Sequence, residues 1–146
     1  MRRKTEPKNR MSCEILAISV NESVCRSIVG VFLAQENPTA TELADVKCAV
    51  SEAVTNAIVH GYGATGRGTV YLSAEIYPDR TVRITVRDKG KGIEDVALAR
   101  RPLYTTDTSG ERSGMGFSVM ESFTDRLRVH SKPGRGTRIT MIKRLT

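Results

Sequence analysis

Apolar residues return along this chain with two different periods, and the changes of period mark its elements. Residues 13–19 alternate well enough to predict a strand. From Asn21, a suitable N-cap, Val24, Ile28 and Val31 fall at helical spacing and predict a first helix with that stripe toward the core. Its other face includes Glu22, Arg26 and Gln35, and Asn37-Pro38 ends it. Thr39-Ala-Thr-Glu42 is a capping-box pattern that starts a second helix, with Gly61 as its C′ residue. At about 100° per residue, Leu43, Val46, Val50, Ala53 and Ala57 share one side of that helix, while Glu52 and Asn56 lie nearly opposite.

The period then shortens. Residues 69–77 and 81–87 predict two strands joined at Pro78-Asp79-Arg80, and Val82, Ile84 and Val86 alternate with Arg83, Thr85 and Arg87. One face of this sheet should be buried and the other polar. Residues 94–112 can open with a helical turn but become polar and read as a mobile loop. A short helix at 116–123 offers Phe117, Met120 and Phe123 for packing. Residues 127–131 and 137–142 predict a last hairpin around Lys132-Pro-Gly134-Arg-Gly136. The expected architecture is a helix-backed, largely antiparallel sheet.

Composition narrows the class without naming a function. A chain of 146 residues fits one domain and needs no staple. No apolar run approaches the ~20 residues of a membrane span, and no signal segment opens the chain, so a cytoplasmic location is expected. Cys13, Cys25 and Cys48 lack metal-ligand spacing and read as reduced core thiols. The net charge of +7 suggests nucleic acid, but the first ten residues hold five Lys/Arg against one Glu. Residues 1–10 therefore read as a disordered basic extension and 11–146 as the domain. The remaining basic residues are scattered among acidic ones, and the chain has no Trp, so no direct nucleic-acid binding is expected.

Three stretches carry candidate chemistry. In Glu52-Ala-Val-Thr-Asn56 a carboxylate and an amide four apart share a helix face, which suits a base beside a Mg²⁺ ligand. In Asp88-Lys-Gly90-Lys-Gly92-Ile93 a strand-end carboxylate can accept from the amino group of a base. There the two glycines clear space for a flat ring that Ile93 covers. In Ser113-Gly114-Met115-Gly116-Phe117 a Gly-rich turn opening a helix offers backbone N–H groups to phosphates, with Arg112 beside it for a terminal phosphate. The string Gly61-Tyr-Gly63-Ala-Thr-Gly66 is a decoy, because it follows a helix and precedes a strand, the reverse of a dinucleotide fingerprint. His60 and His130 have no partner spacing, and His60 suits a helix C-terminus.

Together these residues resemble the signature of the Bergerat-fold ATPase/kinase superfamily, which includes gyrase, heat-shock protein 90, histidine kinases and the mismatch-repair ATPase MutL. More narrowly, SEAVTNAIVHGY, RDKGKGI, ARRPLYTT and ERSGMGFSVME resemble the anti-sigma F factor family of serine kinases from spore-forming bacteria. The resemblance implies an α/β (α+β) sandwich, with a mixed, mostly antiparallel sheet covered on one face by helices and a mobile lid. It implies Glu52 as general base, Asn56 as Mg²⁺ ligand and Asp88 as partner of the adenine amino group. Gly90, Gly92 and Ile93 would form the adenine floor, residues 113–117 would wrap the phosphates, and Thr137 would support Asp88. It further implies ATP or ADP as cofactor, a homodimer, a sporulation sigma factor held inactive and an anti-anti-sigma protein phosphorylated on serine. Arg26, exposed on the first helix, is the candidate partner contact. Alternatives are the same switch acting on a general-stress sigma factor and an ATP-dependent binding module without catalysis.

Overall fold

The computed structural model describes residues 5–101 and 116–146. Five strands form one sheet in the order β1-β2-β3-β5-β4: β1 Asn9–Leu16, β2 Thr69–Ile76, β3 Thr81–Asp88, β4 Arg126–Lys132 and β5 Gly136–Arg144. All four pairings are antiparallel, so the sheet expected as mixed is wholly antiparallel. Helices α1 (Val20–Leu33) and α2 (Ala40–Thr55) and the short α4 (Gly116–Ser122) contribute to the core on one face, while α3 is a single turn at Val96–Ala99. The sandwich is thus two layers, as the alternation of β3 requires: Val82, Ile84 and Val86 point into it and are buried.

The first two elements correct the sequence reading. Strand β1 begins at Asn9, not at residue 13, because β2 is long enough to pair with Asn9 through Leu16. It takes in Asn9 and Arg10 from the stretch read as a disordered extension, and even Lys8 donates its N–H to Ile76 O at 2.8 Å. Helix α1 starts at Val20 with Ser19 before it, and Asn21 is not its cap. The Asn21 amide instead donates to Leu16 O at 2.9 Å and pins the turn out of β1. The core stripe of α1 is Cys25, Val29 and Leu33, whereas Val24 and Val31 are 40% and 78% exposed. The buried stripe therefore lies one to two positions beyond the expected one.

The second helix begins as expected. Thr39 Oγ1 accepts from Glu42 N at 3.1 Å and Glu42 Oε1 accepts from Thr39 N at 2.9 Å, completing the capping box. Glu42 also accepts from the N–H of Thr146 at 2.8 Å, tying the end of the chain to the start of α2. These donors hold its carboxyl down at about 2, far below the ordinary carboxylate range. The far end of α2 differs from expectation. The helix passes at Asn56 into a π-helical segment, Asn56–Gly61, in which Tyr62 N reaches back five residues to Ala57 O at 3.0 Å. Gly61 is therefore the last residue of the π-turn and not a C′ cap. Of the three thiols, Cys25 is fully buried and pushed up to about 12, chiefly by that burial, while Cys13 and Cys48 are half-buried.

Candidate functional site

The π-segment ends against the last residue of β3. Asp88 is 3% exposed, and a Cβ built on Gly61 would lie 2.7 to 2.9 Å from its carboxyl carbon and oxygens. Only a glycine lets the helix end come this near. Burial raises the Asp88 pKa, and the backbone N–H groups of Gly90 and Thr137 partly offset that by bonding the charged form. One of these bonds, Gly90 N to Asp88 Oδ1, is 2.9 Å. A buried carboxylate at a strand end, with lone pairs to spare, is a strong acceptor for an amino group.

Residues 89–92 run between two pieces of backbone. Lys91 donates its N–H to Gly61 O at 2.9 Å, and Lys91 O accepts from Gly134 N at 2.7 Å. A Cβ on Gly90 would run into Gly61 O, and one on Gly92, where φ is +75°, into Lys132 O. The reading that these glycines clear room for a ring is thus corrected: beside each Cα the room is filled by main chain, so the glycines let the loop dock. Ile93 is half-buried and donates its N–H to Ser131 Oγ at 2.7 Å. Ser131 Oγ lies 2.8 Å from Thr137 Oγ1 and bonds Gly136 O at 3.0 Å. Thr137 is buried and pairs directly with Asp88 across β3 and β5.

Glu52 and Asn56 stand on the helix that leads into this corner. Asn56 is 8% exposed and the first residue of the π-segment; its backbone N–H donates to Glu52 O and Ala53 O, while its side chain forms no hydrogen bond with a described residue. Glu52 is half-buried, and a Cβ on Gly116 would sit 3.4 Å from its Oε2. The described end of the third motif therefore meets the first, with Phe117 buried in the core beneath. Arg112, Ser113, Gly114 and Met115, where the lid was expected, lie outside the described residues. Among the described residues no cluster of three His, Cys, Asp or Glu side chains could hold a metal. A single amide oxygen at Asn56 fits a hard cation that takes its other ligands from phosphates and water.

Two residues were missed from sequence. The Tyr62 hydroxyl donates to Thr69 O at 2.6 Å and accepts from Lys89 N at 2.7 Å, joining the π-segment, the start of β2 and the loop after Asp88. Ser131 organises Ile93 and Thr137 as described. Nothing in the spacing of either marked it, because both act through main-chain partners distant in sequence. Arg26 is partly exposed and pairs with Glu22 at 3.6 Å on α1, outside the corner formed by Asp88, Gly61 and Glu52.

Comparison with known proteins agrees with this geometry. Residues 18–143 match the family described as histidine kinase-like ATPase domain. The anti-sigma F factor of Anoxybacillus flavithermus is 50% identical, with 95% of this chain and 94% of that protein covered. Those of Clostridium novyi and Bacillus subtilis are 53% and 49% identical over similar shares: 94% and 95% of this chain, 95% and 94% of theirs. Among solved structures, the RsbU and RsbW domains of a Mycobacterium tuberculosis protein superpose with a TM-score of 0.70 at 23% identity, covering 95% of this chain and 33% of that one. The histidine kinase domain of a blue-light activated protein from Erythrobacter litoralis gives 0.58 at 19% identity, over 90% of this chain and 62% of that domain. These two show the fold alone. With a family match over most of its length and near-full-length relatives at about half identity, the chain belongs to the histidine kinase-like ATPase family, in the branch of the anti-sigma F factors.

Proposed function

We propose that this protein is an ATP-dependent switch that holds a sporulation sigma factor inactive and uses Mg-ATP to phosphorylate a serine of an anti-anti-sigma protein. The observation that carries the reading is the meeting of Gly61 with Asp88 and of Gly116 with Glu52, which joins three separate motifs at one helix. The near-full-length relatives named anti-sigma F factor support the partner class.

In this reading the buried Asp88 carboxylate accepts from the adenine amino group, and Thr137 and Ser131 hold the strand end behind it. Gly90, Gly92 and Ile93 shape the loop alongside, and residues 112–117 close over the phosphates. Asn56 offers its amide oxygen to Mg²⁺, which would neutralise phosphate charge during transfer. Glu52, one turn earlier, takes the proton of the attacking serine hydroxyl. A hydroxyl gains from such a base as the phosphoryl group arrives. The protein acts in the cytoplasm as a homodimer, without direct contact to nucleic acid. Among the described residues no helix is long and apolar enough to cross a membrane.

The test is to incubate the purified chain with Mg-ATP and a candidate anti-anti-sigma protein, and to locate phosphate by mass spectrometry. Phosphoserine is expected only with ATP present, together with repression of transcription in a sigma-factor assay. ATP binding without phosphate transfer would leave only the binding module.

A further inference from the structure

Among the described residues, the helices cover one face of the sheet and leave the other bare. On that bare face, basic residues far apart in sequence come into register. Arg87 of β3 pairs with Arg138 of β5, which pairs with His130 of β4. One row further lie Thr85, Thr140 and Arg128, and beyond them Arg83, Ile142 and Arg126. Arg87, Arg126, Arg128 and Arg138 are all exposed. Adjacent strands lie about 4.8 Å apart and alternate residues of one strand about 6.7 Å apart, so the positions that carry these arginines form a grid. Outward positions of β3, β4 and β5 carry no Asp or Glu.

Of the outward arginines in this grid, only Arg83 has an acidic partner, Glu75 at 3.9 Å. The other four make no ion pair with a described carboxylate. Like charges placed opposite one another across a sheet weaken it. The charge that looks scattered along the sequence is thus gathered by the fold onto one flat surface at some cost.

We infer that this bare sheet face is a docking surface for the acidic face of a partner protein. A guanidinium fork matches a carboxylate in two parallel hydrogen bonds, and a grid of forks matches a patch of carboxylates. Nucleic acid fits less well. The Tyr71 ring is covered by Arg87 at 4.6 Å and Lys89 at 5.0 Å, so it is not open for a base to stack. A second copy of the same face would set arginine against arginine. Asp88 points to the opposite, helix-covered side, so the inference does not depend on the kinase reading.

Binding of labelled poly-L-glutamate and of a short single-stranded oligonucleotide, measured by fluorescence anisotropy over a salt series, tests it. Arg128→Gln with Arg138→Gln is expected to weaken poly-glutamate binding about fivefold or more and to flatten its salt dependence. Arg67→Gln with Arg101→Gln removes the same charge elsewhere from exposed positions and should change little. Arg128→Lys with Arg138→Lys keeps charge without the fork and should fall between. ATP affinity should be equal in all of them, which also shows that they fold. Equal loss in the two glutamine pairs would reduce the effect to net charge and overturn the inference. So would an absence of poly-glutamate binding, or tighter binding of the oligonucleotide.

Discussion

Gly61 and Asp88 occupy each other's margin: the carboxyl group of one lies where the other would carry a side chain, at 2.7 to 2.9 Å. The helix end is thereby set by the acid that the nucleotide reading depends on. Gly61→Ala is expected to displace Asp88, costing about 1–3 kcal/mol of stability as overpacking does, and to weaken ATP binding. Thermal melting and calorimetric titration of the variant check both. Parent-like ATP affinity would detach Gly61 from the site.

Asp88→Asn should weaken ATP binding by about 1.5–3 kcal/mol, the range for a hydrogen bond to a charged group. The pH dependence has a definite sign. Burial raises the Asp88 pKa, so its proton is held more tightly in the folded than in the unfolded chain. Acidification therefore relieves a cost to the fold at this residue while removing the charged acceptor. ATP affinity should begin to fall at a higher pH than an ordinary aspartate would give, and that step should vanish in Asp88→Asn.

Glu52→Gln retains the shape of the α2 face. ATP binding should survive, and phosphate transfer to serine should drop at least ~10²-fold, the lower range for a general base. Single-turnover transfer with radiolabelled ATP measures it. A parent-like rate would leave Glu52 as a solvated carboxylate beside Gly116.

Glu42 gives a prediction about acid stability. Its folded pKa, about 2, lies below the unfolded value of 4.5, so its contribution is present above pH 4.5 and is lost as pH falls toward 2. Urea unfolding of Glu42→Gln should show lower stability than the parent near neutrality and a gap that closes on acidification. Removing Thr146 should produce part of the same loss, because its N–H and hydroxyl both bond Glu42.

Arg26→Glu tests the partner surface. The change sets a second carboxylate one turn from Glu22, the present ion-pair partner, and reverses the charge offered to a partner. Capture of the sigma factor should weaken by ≥ 2 kcal/mol if Arg26 is a hot spot, with ATP affinity unchanged. Normal capture would remove Arg26 from the interface.

Much of the fold was legible because its signals are local. The Thr39 capping box, the alternation of Val82, Ile84 and Val86, and Asp88 at a strand end each depend on neighbours within a few residues. The errors share a cause too. Strand β1 was placed late because its limits come from β2, some sixty residues away, and the α1 stripe was misjudged because Cys25 competes for the core as well as any valine. Within the site, Asp88 and Thr137 were expected beside each other and are. The role of Gly90 and Gly92 could not be seen, since the backbone they accommodate belongs to Gly61 and Lys132. Tyr62 and Ser131 were hidden for the same reason.

The π-turn at Asn56–Gly61 makes chain length, rather than side-chain identity, the guarded quantity in this part of the protein. One residue is worth about 100° of helix rotation. Deleting a single position between Ala57 and His60 would preserve Glu52, Asn56, Gly61 and Asp88 by name. It would nonetheless swing Gly61 away from Asp88 and present a bulkier residue to the carboxylate. Point substitutions across this stretch should be graded in their effects, whereas a one-residue deletion should act as an off switch. Inherited changes in length are accordingly expected in the loop at residues 63–67, beyond the turn, and not within it.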